Sequence, residues 1–177
     1  MRRTVPALLA VLALAAPARA AAPQVTDPAG DANFTGTGVA TAPASLDTLD
    51  IRLVRWWADT AAQHASLALA APDPAAPARY VLRLATPACA VTLTWETAWD
   101  TAYLAGCGDA RWYAPPSWSG GTLTFTLPRT ALPSWLAAGT TVHGLGATAA
   151  PVAGYVVGEL YPPADDAAGT AKYVVGS

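Results

Sequence analysis

Apolar and polar residues alternate with a period of two along most of the chain, the pattern of strands that bury one face. Asp50–Ala58 (DIRLVRWWA) opens the series. Ideal alternation there sets Ile51, Leu53, Arg55 and Trp57 on one face and Arg52, Val54 and Trp56 on the other. Gln63–Ala70 follows with Leu67 and Leu69 aligned, and Arg79–Ala85 with Tyr80, Leu82 and Leu84 on one side. Between them, Ala71–Ala78 carries three prolines and reads as a loop. Cys89–Cys107 (CAVTLTWETAWDTAYLAGC) reads as a hairpin. A turn over Glu96–Asp100 would pair 95 with 101, 93 with 103, 91 with 105 and 89 with 107, setting the two cysteines face to face. Arg111–Tyr113 is a short strand ended by Pro115-Pro116. Ser119-Gly120-Gly121 then turns the chain into Thr122–Leu127, where Leu123, Phe125 and Leu127 alternate with threonines. Further strands are expected at Thr140–Ala149, Gly154–Leu160 and Lys172–Val175. Ala21–Leu49 is an irregular entry with at most one short strand, around Gly38–Thr41. The period changes once: Leu132, Trp135 and Leu136 stand at helical spacing within Pro128–Ala138, with Pro133 inside and Gly139 as a stop. The expected fold is all-β, a single antiparallel β-sandwich over residues 21–177 with one short helix and one disulfide.

The first twenty residues do not belong to that pattern. Arg2 and Arg3 precede the apolar run Val5–Ala16, and Ala18-Arg19-Ala20 is a small-x-small cleavage site, so residues 1–20 read as a signal peptide. The apolar run is too short for a membrane span, and no later stretch is long enough. The expected location is therefore secreted, periplasmic or otherwise extracellular after cleavage. In that setting the chain's two cysteines, Cys89 and Cys107, are expected as a disulfide rather than as buried thiols. Losing Arg2, Arg3 and Arg19 takes the Lys+Arg count from 10 to 7 against 12 Asp+Glu, a net charge of −5. Lys172 is the only lysine, so no basic stripe is available for a phosphate backbone, and a nucleic acid partner is not expected. Composition rich in Ala, Pro, Gly and Arg gives the impression of a GC-rich bacterial genome.

Chemistry is sparse. Asp27-Pro28-Ala29-Gly30-Asp31-Ala32-Asn33 sets two carboxylates and an amide oxygen on a loop shaped by Pro and Gly. Hard cations such as calcium take oxygen ligands from such loops, and an ordinary Asx turn uses the same residues. Aromatic residues form the second feature. Trp95, Trp99, Trp112, Tyr113 and Trp118 gather around the hairpin tip and just after it, near Asp100, Asp109 and Arg111. Trp95 belongs to the core by its register with Leu93; Trp99 in the hairpin turn and Trp118 after Pro115-Pro116 are the favoured surface rings of a candidate ligand surface that also includes Trp112 and Tyr113. Flat rings with polar neighbours suit sugar rings, and the same rings also suit the rim of a core. His64 and His143 are expected as structural histidines. Ser119 lacks a nucleophile elbow, and no metalloprotease motif or phosphate loop is present. Asp165-Asp166 could be half of an acid pair, but a sequence gives no carboxylate separation, and Asn33-Phe34-Thr35 is a glycosylation sequon only for a eukaryotic host.

Asp27-Pro28-x-Gly30-Asp31, followed by Leu49-Asp50-Ile51 opening a strand, resembles the beginning of DOMON-type and family 9 carbohydrate-binding-module-like β-sandwiches, among them the C-terminal modules of glucodextranases. The ending Asp165-Asp166-x-x-Gly169-Thr170-Ala171-x-Tyr173 is similar to that of small exported bacterial proteins with the same opening. The resemblance implies a structural calcium held by Asp27 and Asp31, with Asp50 beside them. Haem, bound by some DOMON relatives, is not expected, because Met1 is the only methionine and leaves with the leader. The functional expectation is an exported, non-catalytic binding or accessory module directed to carbohydrate. The alternative is a structural or cell-envelope interaction protein without a small ligand. A hydrolase using loop carboxylates ranks last.

Overall fold

The computed structural model describes residues 24–28, 48–152, 165–170 and 172–175. The leader, Asp31, Asn33 and the strands expected at Gly38–Thr41 and Gly154–Leu160 lie outside the described residues.

Twelve strands are described: β1 (Gln24–Thr26), β2 (Ile51–Ala58), β3 (Ala62–Leu69), β4 (Ala78–Ala85), β5 (Ala90–Glu96), β6 (Ala102–Gly106), β7 (Asp109–Tyr113), β8 (Ser117–Ser119), β9 (Thr122–Pro128), β10 (Thr141–Pro151), β11 (Asp165–Ala168) and β12 (Lys172–Val174). They form two antiparallel sheets. The first runs β1-β2-β3-β9-β8; the second runs β11-β10-β4-β5-β6-β7, with β12 also on β10. The chain makes β1–β3 in the first sheet, β4–β7 in the second, β8 and β9 in the first again, and ends in the second. Each return lies beside an earlier strand, β9 on β3 and β10 on β4.

Alternation explains the core. Val54 and Trp56, Leu67 and Leu69, and Leu123, Phe125 and Leu127 point inward from the first sheet. Tyr80, Leu82 and Leu84, Val91, Leu93 and Trp95, and Leu104 meet them from the second. Two strands keep this face only by breaking the period. In β2 the register on β3 shifts between Ile51 and Leu53. The extra residue turns Ile51 onto the face of Val54 and Trp56, not the Leu53 face that ideal alternation gives it. In β10 the shift lies between His143 and Gly146, and Gly144 takes a left-handed φ of 63°. Val142, Leu145, Ala147 and Ala149 are therefore all buried.

The hairpin forms, one residue out of the expected register. Leu93 pairs with Leu104, Val91 with Gly106 and Thr94 with Tyr103. The pairing of 93 with 103 would have turned Tyr103 inward and Leu104 outward; Leu104, which is fully buried, decides the matter. The cysteines are consequently not a cross-strand pair. Cys89 precedes β5, and Cys107 begins a two-residue turn with Gly108. Both have positive φ, 50° and 78°, as a type I′ hairpin turn requires. From there the Cys89–Cys107 disulfide closes with the Cα atoms 5.3 Å apart.

Among the described residues no α-helix forms over Pro128–Ala138. Two single 3₁₀ turns, Arg129–Ala131 and Ser134–Leu136, flank an extended Leu132-Pro133. Pro133 forces its predecessor out of the helical region, and Leu132 duly sits at φ −67°, ψ 139°. The segment still covers the open side of the sandwich. Leu136 is buried, and the Trp135 ring lies so close over Gly106 that a Cβ there would be 3.0 Å from it.

Candidate functional site

The four candidate aromatics do not form one platform. Alternation in β7 sends Tyr113 inward and Trp112 outward. Tyr113 is 7% exposed, and its hydroxyl donates to the Ala131 carbonyl at 2.9 Å. Burial raises its pKa. Trp118 on β8 is half-buried and meets Tyr80 of the opposite sheet edge-on, ring centroids 6.1 Å apart. Tyr80 in turn stacks on Trp95 at 6.2 Å. The Trp95 indole N–H donates to the carbonyl of Trp99, at 3.0 Å, and Trp99 is half-buried against the core. Trp99 and Trp118 thus form the rim of the core, each with part of its surface open.

Trp112 stands apart, 63% exposed. Its ring leans on Tyr103, the residue directly across on β6, with centroids 4.6 Å apart and planes tilted by 48°. Continuing the row across the outer face of the second sheet brings Thr94 and then Val81. Tyr103 is the residue that sequence reasoning missed, because the one-residue register error turned it inward. Asp109 and Arg111, expected as polar neighbours of the rings, lie on the Tyr113 face of β7 and pair with each other at 3.0 Å. The hydroxyls nearest to Trp112 in the row belong to Tyr103 and Thr94.

Two of the calcium candidates, Asp27 and Asp50, lie at the end of the sandwich that carries Trp99 and Trp118. There the Ala70 amide bonds the Asp50 carbonyl, Leu69 bonds Gly121, and Thr97 bonds Ala78. The Asp27 amide donates to the Arg52 carbonyl at 3.2 Å, so Asp27 runs beside the start of β2. Asp50 is 2% exposed, a burial that a carboxylate tolerates only with compensating partners. Hard carboxylate oxygens on an entry loop are the donor chemistry that calcium takes. Asp31, the remaining candidate, lies outside the described residues, and among those described no group of three His, Cys, Asp or Glu could hold a metal. The disulfide closes the opposite end.

A further cluster had no signal in the sequence. His64 on β3 lies across from Trp57 on β2 and Thr126 on β9. Its ring stacks on Trp57 at 5.2 Å; Nε2 is 2.9 Å from Asp59 Oδ2, and Nδ1 is 3.4 Å from the Thr126 hydroxyl. The order Asp–His–Thr has the outline of a nucleophilic triad. However, Asp59 is occupied in shaping its turn: Oδ1 accepts the amides of Ala61 and Ala62, each at 2.7 Å. These bonds, with the His64 contact first among them, lower its pKa to about 2. The three groups lie on the outer face of the sheet rather than in a cleft that excludes water. Their effect is to pin the β2–β3 turn and fix the Trp57 ring. His143 lies in the other sheet, on β10, so the two histidines do not converge. Asp165 and Asp166 open β11 opposite Ala149 and Thr148.

No protein-family model, curated protein or solved structure matches the chain. Among the described residues, no helix is long and apolar enough to cross a membrane.

Proposed function

We propose that this protein is an exported, non-catalytic binding module directed to carbohydrate. The observation that carries the reading is Trp112: a large indole, mostly exposed and steadied by the Tyr103 ring, on a row that continues into the Thr94 hydroxyl. An aromatic face against a sugar ring, with hydroxyls alongside, is a common recognition chemistry. The signal-like leader supports export. The opening's resemblance to carbohydrate-binding β-sandwiches supports the ligand class, and also a structural calcium at Asp27, Asp31 and Asp50. The second reading, a cell-envelope interaction protein without a small ligand, is favoured by the outer edge of β7, the strand that carries Trp112, which pairs with no other strand among the described residues.

Affinity electrophoresis and a glycan array with the mature protein test the first reading. At least one polysaccharide is expected to retard the wild type. Trp112→Ala should weaken binding tenfold or more, about 1.4 kcal/mol, with an unchanged melting temperature because the ring is exposed. Wild type that binds no glycan, or Trp112→Ala that binds as well as wild type, overturns it.

A further inference from the structure

Among the described residues, β7 is the outermost strand of the second sheet and makes its whole ladder with β6. The tight Cys107-Gly108 turn settles which of its groups face outward. In such a two-residue hairpin the flanking pair, Gly106 and Asp109, is the hydrogen-bonded one. Bonding then alternates, so Asp109, Arg111 and Tyr113 bond inward to β6 while Ala110 and Trp112 present their amides and carbonyls to the free edge. The Ala110 amide is bonded to the neighbouring Asp109 carboxylate at 2.8 Å, as an outward-facing amide would be. Edges are protected by brevity, lysine or other charges, proline, a bulge, or charged residues that point inward. The five-residue Asp109–Tyr113 carries no lysine, proline or bulge, and Pro115-Pro116 comes only after the strand has ended; its inward-face charges, Asp109 and Arg111, are opposite in sign and can pair across the edge rather than repel a second strand.

We propose that β7 pairs with β7 of a second copy of this chain, antiparallel about a two-fold axis at Ala110, joining the two second sheets into one. Three features of the strand fit that register. Ala110 faces itself across the axis, with its outward groups in a hydrogen-bonded pair. Asp109 faces Arg111 of the second copy, and the reverse, in the non-hydrogen-bonded pairs, where side chains come closest. Trp112 faces Gly108, so each exposed indole comes over the Gly108 and Ala110 backbone of its neighbour. Shifting the axis to Arg111 would oppose two arginines, and shifting it to Trp112 would leave Asp109 opposite Pro115. Within each strand the Asp109–Arg111 pair and the Ala110 amide's bond to the Asp109 carboxylate are given up, in exchange for two charge pairs and two Ala110 amide-to-carbonyl bonds across the axis. A single strand edge buries less than a standard interface of roughly 1,200–2,000 Å². The association is therefore reversible, concentration-dependent and weakened by salt. The axis is perpendicular to the sheet, so both Trp112 rings lie on one outer face. The proposal does not rest on the carbohydrate reading.

Sedimentation velocity of the oxidised mature protein, without glycan, over a hundredfold range of concentration is the test. The expected result is a monomer–dimer equilibrium that shifts toward monomer in high salt. Arg111→Asp and Asp109→Arg should each weaken dimerisation at least tenfold, because like charges then face each other across the axis. The double exchange, Asp109→Arg with Arg111→Asp, should restore it. Circular dichroism melts of all three variants check that the fold is retained; these side chains are exposed, so it should be. Wild type that stays monomeric throughout overturns the proposal. So does a dimer indifferent to both single reversals, or a double exchange that does not recover.

Discussion

Tyr80 and Tyr113 both bring a phenol into the core, and their hydroxyls fare differently. The Tyr113 hydroxyl reaches the Ala131 carbonyl and ties the 3₁₀ segment to the edge of the second sheet. The Tyr80 hydroxyl is buried near Trp95 and Trp118, without a hydrogen-bond partner among the described residues. Burial, aided by the charge of Asp73, pushes its pKa up to about 12. A buried donor without a partner contributes nothing that phenylalanine would lack. Tyr113→Phe is therefore expected to cost about 0.5–1.5 kcal/mol in urea unfolding, and Tyr80→Phe to be neutral or stabilising. The pH dependence has a definite sign. Tyr80's folded pKa lies above its unfolded value of 10, so the fold favours the protonated phenol. Its contribution is complete below pH 10 and is lost as pH rises toward 12. Wild-type melting temperature should fall across that window, and that of Tyr80→Phe should fall less. Equal losses in both proteins would remove Tyr80 as the cause. Neither hydroxyl's fate was legible in the sequence, because both tyrosines sit at inward positions of alternating strands and differ only in what lies opposite.

At the scale of elements, strand existence was legible and strand detail was not. Alternation located β2, β3, β4, β5 and β9 because their apolar residues must share a face. It failed where one extra residue costs little locally and improves packing overall. The bulges in β2 and β10 are of this kind, as is the slip that puts Leu104 rather than Tyr103 under Leu93. The 128–138 segment shows the opposite failure: its helical spacing was present, but Pro133 barred the residue before it from the helix. β1, β8 and β11 were missed altogether. β11 is a short edge strand, and a close contact makes its place on β10. A Cβ at Gly146 would stand 2.6 Å from the Ala167 carbonyl oxygen, a backbone atom that can move only if the strand moves. Gly146→Ala should accordingly destabilise the protein by about 1–3 kcal/mol, with hydrogen exchange rising first in Asp165–Ala168. Unchanged stability in urea would mean that β11 is not held against β10 in solution.

At the scale of the whole molecule, the entry segment is tied to the body through β1 on β2 and the Asp27–Arg52 bond. Calcium at Asp27, Asp31 and Asp50 would add to that tie by offsetting carboxylate repulsion. Melts of the mature protein in EDTA and in millimolar calcium are expected to differ, with about 2.7 kcal/mol gained at a hundredfold excess over Kd. The double variant Asp27→Ala/Asp31→Ala should lose that difference; an equal shift in the variant, or none in wild type, would leave the loop an Asx turn. The disulfide follows a related logic, closing 18 residues of chain for about 3 kcal/mol in the chain-entropy model. By itself the sequence determined the all-β class, the cysteine pair and the inward residues of most strands, because burial on one face imposes a period that local composition records. Tertiary structure alone decided the registers, the two bulges and the division of the aromatics into core rim and open platform. Those depend on which side chain lies across the sheet or between the sheets, and the separation of Trp112 from Tyr113, adjacent in the chain and on opposite faces of β7, follows from that packing.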